Sequence, residues 1–452
     1  MSTIDERFEV LHPTSRKFHQ RALRLFPDGV THDIRHQTPF PLYVTHARGS
    51  RKWDADGNEI VDYVMGHGSL LLGHQHPAVV EAVTAQAARG THYGASHELE
   101  IRWGELVQRL VPSAERLRFT SSGTEATMMA LRLARAFTAR EKVVRLREHF
   151  HGWNDSVTGQ PPDEGSRPYS PGLPAGTLES SIVIPQNDTS ALRRTFADHG
   201  NEIAAVIFEA TGAHWGSDPI ELDYVRELRT ATREHGALLI FDEVITGFRV
   251  SPGGAQAAYG IQPDLTTMAK ILGGGLPGGC VAGRADVFEQ IAMGADGVRY
   301  GPERIQHPGT YNANPLSAAA GSACLALIAD GEAQRRAAET AAALARSLNA
   351  VLREESLAGC VYGQSSMLHI ALGMEQQPPD GHSWGWHALP APPPSVSPGV
   401  ARALRNGMLN HGVDLMAGGL MVSAAHGPDD VALTVDAFHA VLREMRAERL
   451  VR

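Results

Sequence analysis

Between residues 76 and 325, short runs rich in β-branched and apolar residues alternate with longer stretches of helical period. The runs are RLRFT, EKVVRL, SIVIPQ, AAVIFEA, ALLIFDEV, DLTTMAK and GGCVAGR, and the helical stretches include 122–139 and 221–235. Runs apolar on both faces and separated by helices predict an α/β layer structure, a large mainly parallel sheet covered on two sides. Upstream, 14–26 (TSRKFHQRALRLF) has the spacing of an amphipathic helix, and PDGVTHDIRHQTPFP breaks it with Pro and Gly. PLYVTHARGSRKWDADGNEIVDYV then alternates apolar and polar residues about Asp56-Gly57-Asn58, a hairpin signature. An apolar helix near 315–329 closes the α/β region. Beyond it come Ala-rich helices, the strand-like MLHIAL and a final helix at 428–447, which read as a smaller α+β domain. The pattern thus divides the chain into an arm with a small antiparallel segment at 1–75, a large domain at 76–330 and a C-terminal domain at 331–452. Residues 375–398, rich in Pro, Gly and Trp, predict an inserted loop; Trp384 and Trp386 would suit a lid, and a surface insertion is the commoner outcome.

Composition narrows the class. A chain of 452 residues exceeds what one hydrophobic core usually serves, in keeping with two domains. With 42% hydrophobic and 20% charged residues it is neither disordered nor fibrous. The formal net charge of -9 argues against a nucleic-acid binder, which needs a basic face. Cys280, Cys324 and Cys360 are too few and too widely spaced for a disulfide framework or a paired-cysteine zinc site, and no metal is expected. The opening MSTIDERFEVLHPTSRKFHQ is charged throughout and no run reaches transmembrane length, so the expected location is cytoplasmic, with no membrane partner.

Three places carry candidate chemistry. Ser121, Ser122, Gly123 and Thr124 stand between the strand RLRF and a strong helix, where free backbone N–H groups and hydroxyls make a phosphate site; a plain helix cap completed by Glu125 is the alternative. Asp242 and Glu243 close the strand ALLIFDEV, at the end where α/β proteins place ligands, although a metal-binding or structural carboxylate would look the same. Lys270 follows an apolar strand and precedes a Gly-rich turn suited to close approach of a planar ligand, a poor setting for a surface lysine. GGGLPGG itself is no dinucleotide fingerprint, because no long helix starts after it.

Further motifs follow in order along most of the chain: WDADGNEIVDYV, LLGHQHP, SSGTEATMMALRLAR, HFHGW, FDEVITGFR, AKILGGGLPGG, HPGTYNANPLSAAAG and SAAH. Together they resemble the class III aminotransferases, pyridoxal 5'-phosphate enzymes of fold type I (aspartate-aminotransferase-like), and among these the glutamate-1-semialdehyde aminomutase-like members. The resemblance implies that Lys270 carries the cofactor as a Schiff base and shuttles the proton between substrate and cofactor. It implies that Asp242 keeps the ring nitrogen protonated, so that the ring acts as an electron sink, and that Phe150 and Val244 clamp the ring. Ser122, Gly123 and Thr124 match the phosphate loop. Thr310 matches a threonine that reaches the phosphate from the neighbouring subunit, which implies a homodimer. Glu209 matches a glutamate near the ring's phenolic side, although Ala210 replaces its customary proline.

The pattern breaks on the substrate side. Where the aminomutases read Asn-Ser-Pro-Val-Arg, this chain has Thr31-His32-Asp33-Ile34-Arg35; Arg35 suits a substrate carboxylate, or is an exposed loop arginine. His214, beside Trp215, replaces an asparagine, and Ala417-Gly418-Gly419 replaces Phe-Glu-Ala. With cofactor positions kept and substrate positions changed, the expected activity is ping-pong transamination between an amine or amino acid and an oxo acceptor, with Arg35, His32 and His214 toward the substrate. Intramolecular amine transfer, as in the aminomutase, is the alternative. A decarboxylase or racemase on the same cofactor and a non-catalytic phosphate-ligand binder complete the field.

Overall fold

A computed structural model describes residues 3–159, 170–294, 304–383, 385, 387–390, 393–416 and 418–451. Trp384, Trp386 and Ala417 lie outside the described residues. The chain forms two compact units, one of Met1–His76, Glu332–Trp384 and Pro390–Arg452, the other of Pro77–Gly331 and Gly385–Leu389.

The second unit is built on a seven-stranded sheet. Its strands are β1 (Arg116–Thr120), β2 (Lys142–Leu146), β3 (Ser181–Ile184), β4 (Ile203–Glu209), β5 (Leu238–Asp242), β6 (Leu265–Ala269) and β7 (Gly279–Gly283), in the order β1-β7-β6-β5-β4-β2-β3. β7 runs antiparallel to β1 and β6, and the rest are parallel to one another, so the expected mainly parallel sheet is found. All seven apolar runs became strands because successive side chains meet opposite apolar layers. Val144, Phe208, Leu239 and Phe241 pack into one core with Tyr224 and Leu228 of the helix Leu222–His235. Val143, Ile207 and Ile240 pack into the other with Met129, Ala130 and Leu133 of the helix Gly123–Thr138.

The first unit carries two smaller sheets. Val44–Arg48, Arg51–Asp54 and Glu59–Asp62 form an antiparallel meander, to which Val413–Asp414 adds in parallel. Asp54 fixes the Asp56-Gly57-Asn58 turn, its Oδ1 accepting from the backbone N–H groups of Asp56 (3.0 Å) and Asn58 (2.8 Å). Gly359–Gln364, Met367–Leu372 and Gly419–Met421 form the other sheet, and Leu344, Leu348, Val361, Leu368 and Phe438 share the unit's core. The helix expected at 14–26 spans Pro13–Ala22, preceded by a helix Ile4–Leu11 that the apolar pattern had not indicated. Among the described residues, no single helix is long and apolar enough to cross a membrane.

Candidate active site

Because β4, β5 and β6 are parallel, their carboxyl ends share one edge of the sheet, and each delivers a functional residue there. β4 ends at Glu209, β5 ends at Asp242, and Lys270 follows β6. Glu209 and Asp242 are register partners, and so are Asp242 and Thr267.

Asp242 is buried, and both its carboxylate oxygens are hydrogen-bonded with acceptor capacity left over. Its Oδ1 accepts from the Val244 N–H (3.0 Å) and the Thr267 hydroxyl (3.3 Å), and its Oδ2 lies 2.7 Å from His151 Nδ1. A carboxylate only accepts, so Nδ1 carries the proton of that bond. The opposite ring atom, His151 Nε2, is buried and has no hydrogen-bond partner among the described residues. His151 was not singled out from the sequence; it stands 91 positions from Asp242, and no spacing rule connects them.

Glu243 turns the other way. It accepts from the Ala255 and Gln256 N–H groups (2.8 and 2.9 Å) and the Thr246 hydroxyl (2.8 Å), capping the short helix Gly254–Tyr259. Adjacent residues of a strand face opposite sides, so of the two acids only Asp242 reaches the site and Glu243 is structural.

Lys270 leaves β6 with φ of 52°, a left-handed conformation that L-residues avoid and that clusters at functional sites. Burial pulls its ammonium pKa below the ordinary value, outweighing the attraction of Asp242 and Glu209. The neutral amine is therefore more available here than on a surface lysine.

At the start of the helix Gly123–Thr138, Ser122 Oγ accepts from the Glu125 N–H (3.2 Å), and the Ser121 N–H donates to Glu125 Oε2 (2.6 Å). Ser122 is therefore a helix cap whose hydroxyl proton remains available. A Cβ on Gly123 would meet both Val244 methyls at 3.0 Å and Ala269 Cβ at 3.4 Å, so this helix start packs directly on the residues flanking Asp242 and Lys270. Within the Gly-rich turn after Lys270, Gly274 serves packing. A Cβ on Gly274 would lie 2.5 Å from the Ala320 carbonyl oxygen of the helix Pro315–Ile328.

Phe150 exposes 62% of its surface while its N–H is tied to Glu209 Oε1 (2.7 Å). The same carboxylate accepts from the N–H groups of His214 (3.1 Å) and Trp215 (2.9 Å). Burial pushes the Glu209 pKa up, against the pull of the Phe150 and Trp215 amides and His151. His149 Nδ1 accepts from the Glu209 N–H (2.8 Å) and its Nε2 faces Gln186 Oε1 (2.8 Å); burial brings its pKa down to about 3, so the ring is neutral and Nε2–H donates. The second unit thus brings together Ser122, Gly123, Thr124, Phe150, Glu209, His214, Asp242, Val244 and Lys270. Thr310 is exposed, at the start of the turn 310–313.

Arg35 and His32 belong to the first unit. Both are exposed on the short turn Asp33–Arg35, where Arg35 Nη1 donates to Thr31 Oγ1 (3.1 Å) and His32 Nδ1 accepts from the Ile34 N–H (3.2 Å). The His32 ring also stacks on His67, centroids 5.3 Å apart and planes 7° from parallel, a partner the sequence did not point to.

A model of the family described as Aminotransferase class-III matches residues 33–397. A glutamate-1-semialdehyde 2,1-aminomutase of Methanocella arvoryzae is 40% identical over 80% of this chain and 84% of its own length. Among solved structures, an omega-transaminase from Sphaerobacter thermophilus superposes with a TM-score of 0.85 at 34% identity, covering 96% of this chain and 98% of that one. A transaminase with pyridoxal phosphate bound gives a TM-score of 0.85 at 30% identity, covering 97% and 99%.

Proposed function

The chain belongs to the class III aminotransferases, which use pyridoxal phosphate on a type I fold, and on that premise we propose that it moves an amino group from a carboxylate-bearing donor to a separate oxo acceptor. The residues fit the cofactor. A buried acid presents itself beside Lys270, the buried His151 Nε2 lacks a partner, and a glycine-tight helix start packs against both neighbours of the reactive residues. When bound, pyridoxal phosphate supplies an aldehyde that condenses with amines and a ring that draws electrons from the attached carbon.

Each residue then has a task. The amides of Gly123 and Thr124, with the Ser122 hydroxyl, hold the phosphate at the helix start. Asp242, oriented by His151, holds a proton at the ring nitrogen. Val244 and Phe150 would hold the ring as apolar side chains. Lys270, whose ammonium burial destabilises, would offer its amine to the aldehyde and move a proton at the substrate carbon. Thr310 is assigned to the phosphate of a second subunit, making the working enzyme a homodimer, and the cytoplasm its proposed location.

One observation carries the choice of transfer between molecules: the glutamate of the aminomutase Phe-Glu-Ala is absent from Ala417-Gly418-Gly419, while every cofactor position is kept. His32 and His214 depart on the substrate side as well. The names of the curated relatives favour the second reading, intramolecular transfer, since the Methanocella relative is an aminomutase.

The test is to add amino donors one at a time to the cofactor-loaded enzyme, following visible absorbance and released oxo compound. Stoichiometric oxo product is expected from a donor bearing a carboxylate, and its absence with every donor sinks the proposal. Conversion of glutamate 1-semialdehyde to 5-aminolevulinate would establish the second reading. In the same assay Arg35→Gln is expected to raise KM for carboxylate donors by ~10–100-fold, the worth of a hydrogen bond to a charged group, and to spare donors without one.

Asp242→Asn is expected to slow the first half-reaction by about 10²-fold or more, because asparagine cannot neutralise a protonated ring nitrogen. Rapid mixing of the loaded variant with donor reads this directly. A rate within error of wild type would remove Asp242 from the chemistry.

A further inference from the structure

Glu209 ends β4 with 7% exposure, and neither carboxylate oxygen is free. Oε1 accepts from the Phe150 and His214 N–H groups at 2.7 and 3.1 Å, and Oε2 accepts from the Trp215 N–H at 2.9 Å. The donors lie on two separate loops, one after β2 and one after β4, which the carboxylate bridges. The second loop is in a conformation that L-residues avoid: His214 and Trp215 have φ of 47° and 55°. Charge-assisted bonds to both their amides oppose the return to ordinary backbone. The backbone of Glu209 makes a second tie to the first loop, through His149 and Gln186.

We infer that Glu209 is a positioning residue rather than a contact to the cofactor ring, acting through the backbone of two loops to set the Phe150 face and the His214–Trp215 turn. This goes beyond the proposed activity and holds whether the amino group passes between molecules or within one. The two oxygens of Glu209 accept from three amides of the chain, most of the roughly four bonds a carboxylate can take, so its charge is spent chiefly on holding the two loops that carry Phe150 and His214–Trp215.

Glu209→Gln keeps the shape but places an N–H₂ donor where amides need an acceptor. The loaded wild-type and E209Q enzymes are compared by circular dichroism in the visible cofactor band and by quenching of tryptophan emission, with far-ultraviolet dichroism to confirm folding. The expected result is a severalfold loss of visible dichroism, which reports a fixed ring orientation, together with weaker quenching, while the absorbance maximum stays in place. Unchanged dichroism overturns the inference. So does a moved absorbance maximum with dichroism retained, the mark of a direct ring contact. In E209Q/H214G the glycine adopts positive φ without strain, and most of the lost dichroism is expected to return; no return overturns the inference. Should E209Q fail to fold, the double variant decides alone: a folded, dichroic holoenzyme supports the positioning role, and failure to recover one overturns it.

Discussion

Replacing Lys270 with alanine is expected to leave a folded protein that turns over at least ~10⁴-fold more slowly, since one residue supplies both the amine that binds the aldehyde and the acid–base group. The absorbance of the loaded variant should resemble free pyridoxal phosphate and no longer that of a lysine-bound cofactor. Small added amines should restore part of the lost rate if proton transfer is the larger share. Stability should move the other way. The Lys270 pKa is lowered in the fold, so between its folded value and the unfolded value near 10.4 the unfolded chain binds more protons, and stability rises with pH through that window. Alanine removes this slope and the cost of burying an ammonium, so the cofactor-free variant should melt no lower than wild type at neutral pH. Thermal melts at two pH values, beside single-turnover rates, check both halves. Retained turnover would overturn the role of Lys270, and a lower melting point would mean that it also supports the fold.

Much of this was legible because it rests on local pattern. The seven runs of the large sheet were readable because strands apolar on both faces have few other places to go. Direction was not: nothing in GGCVAGR says that β7 runs antiparallel, since direction follows from the path of the whole chain. The helix Ile4–Leu11 was missed although its signal was present. Thr3 and Glu6 form a capping box, the spacing that marks a helix start, and it was hidden among charged residues. At the site, Lys270 and Asp242 stood out by position at strand ends, whereas the division of labour between Asp242 and Glu243 depends on which face of a strand meets the cofactor edge. His151 and the Phe150 amide on Glu209 were illegible in principle, because their partners are 91 and 59 positions away and are joined only by folding. That Gly274 makes room for the helix Pro315–Ile328 was not legible either, since a glycine that admits a ligand and one that admits a neighbouring helix look alike in sequence.

In the first unit, Lys52→Met is expected to cost about 3–5 kcal/mol, the range for breaking a buried ion pair by removing one partner. Lys52 Nζ lies 2.8 Å from Asp62 Oδ1 and 2.6 Å from Asp414 Oδ2, all three side chains being buried between neighbouring strands. Burial works against the lysine's charge, and the two carboxylates outweigh it, leaving its pKa raised. Burial likewise opposes the charge of Asp62, but Lys52 and His74, 2.7 Å away, hold it well below the usual carboxylate range. In the wild type this Asp62 contribution is fully present above the unfolded carboxylate pKa and fades as pH falls through the lowered folded one. Without Lys52 the sign reverses. Two carboxylates remain buried beside each other, with His74 on Asp62 and only the longer contact of Arg405 Nε, 3.7 Å away, on Asp414; a folded-state carboxyl pKa rises, and the variant should lose stability as pH climbs through that raised value. The gap between wild type and K52M should therefore be widest near neutrality, roughly 10 °C or more in the first unit's melting point, and narrow toward pH 4 to 5. K52M/D414L, which removes a charge of each sign, should lose less than K52M alone. Melts of the three proteins across that pH range decide it: a penalty independent of pH would mean that Lys52 contributes packing and not charge.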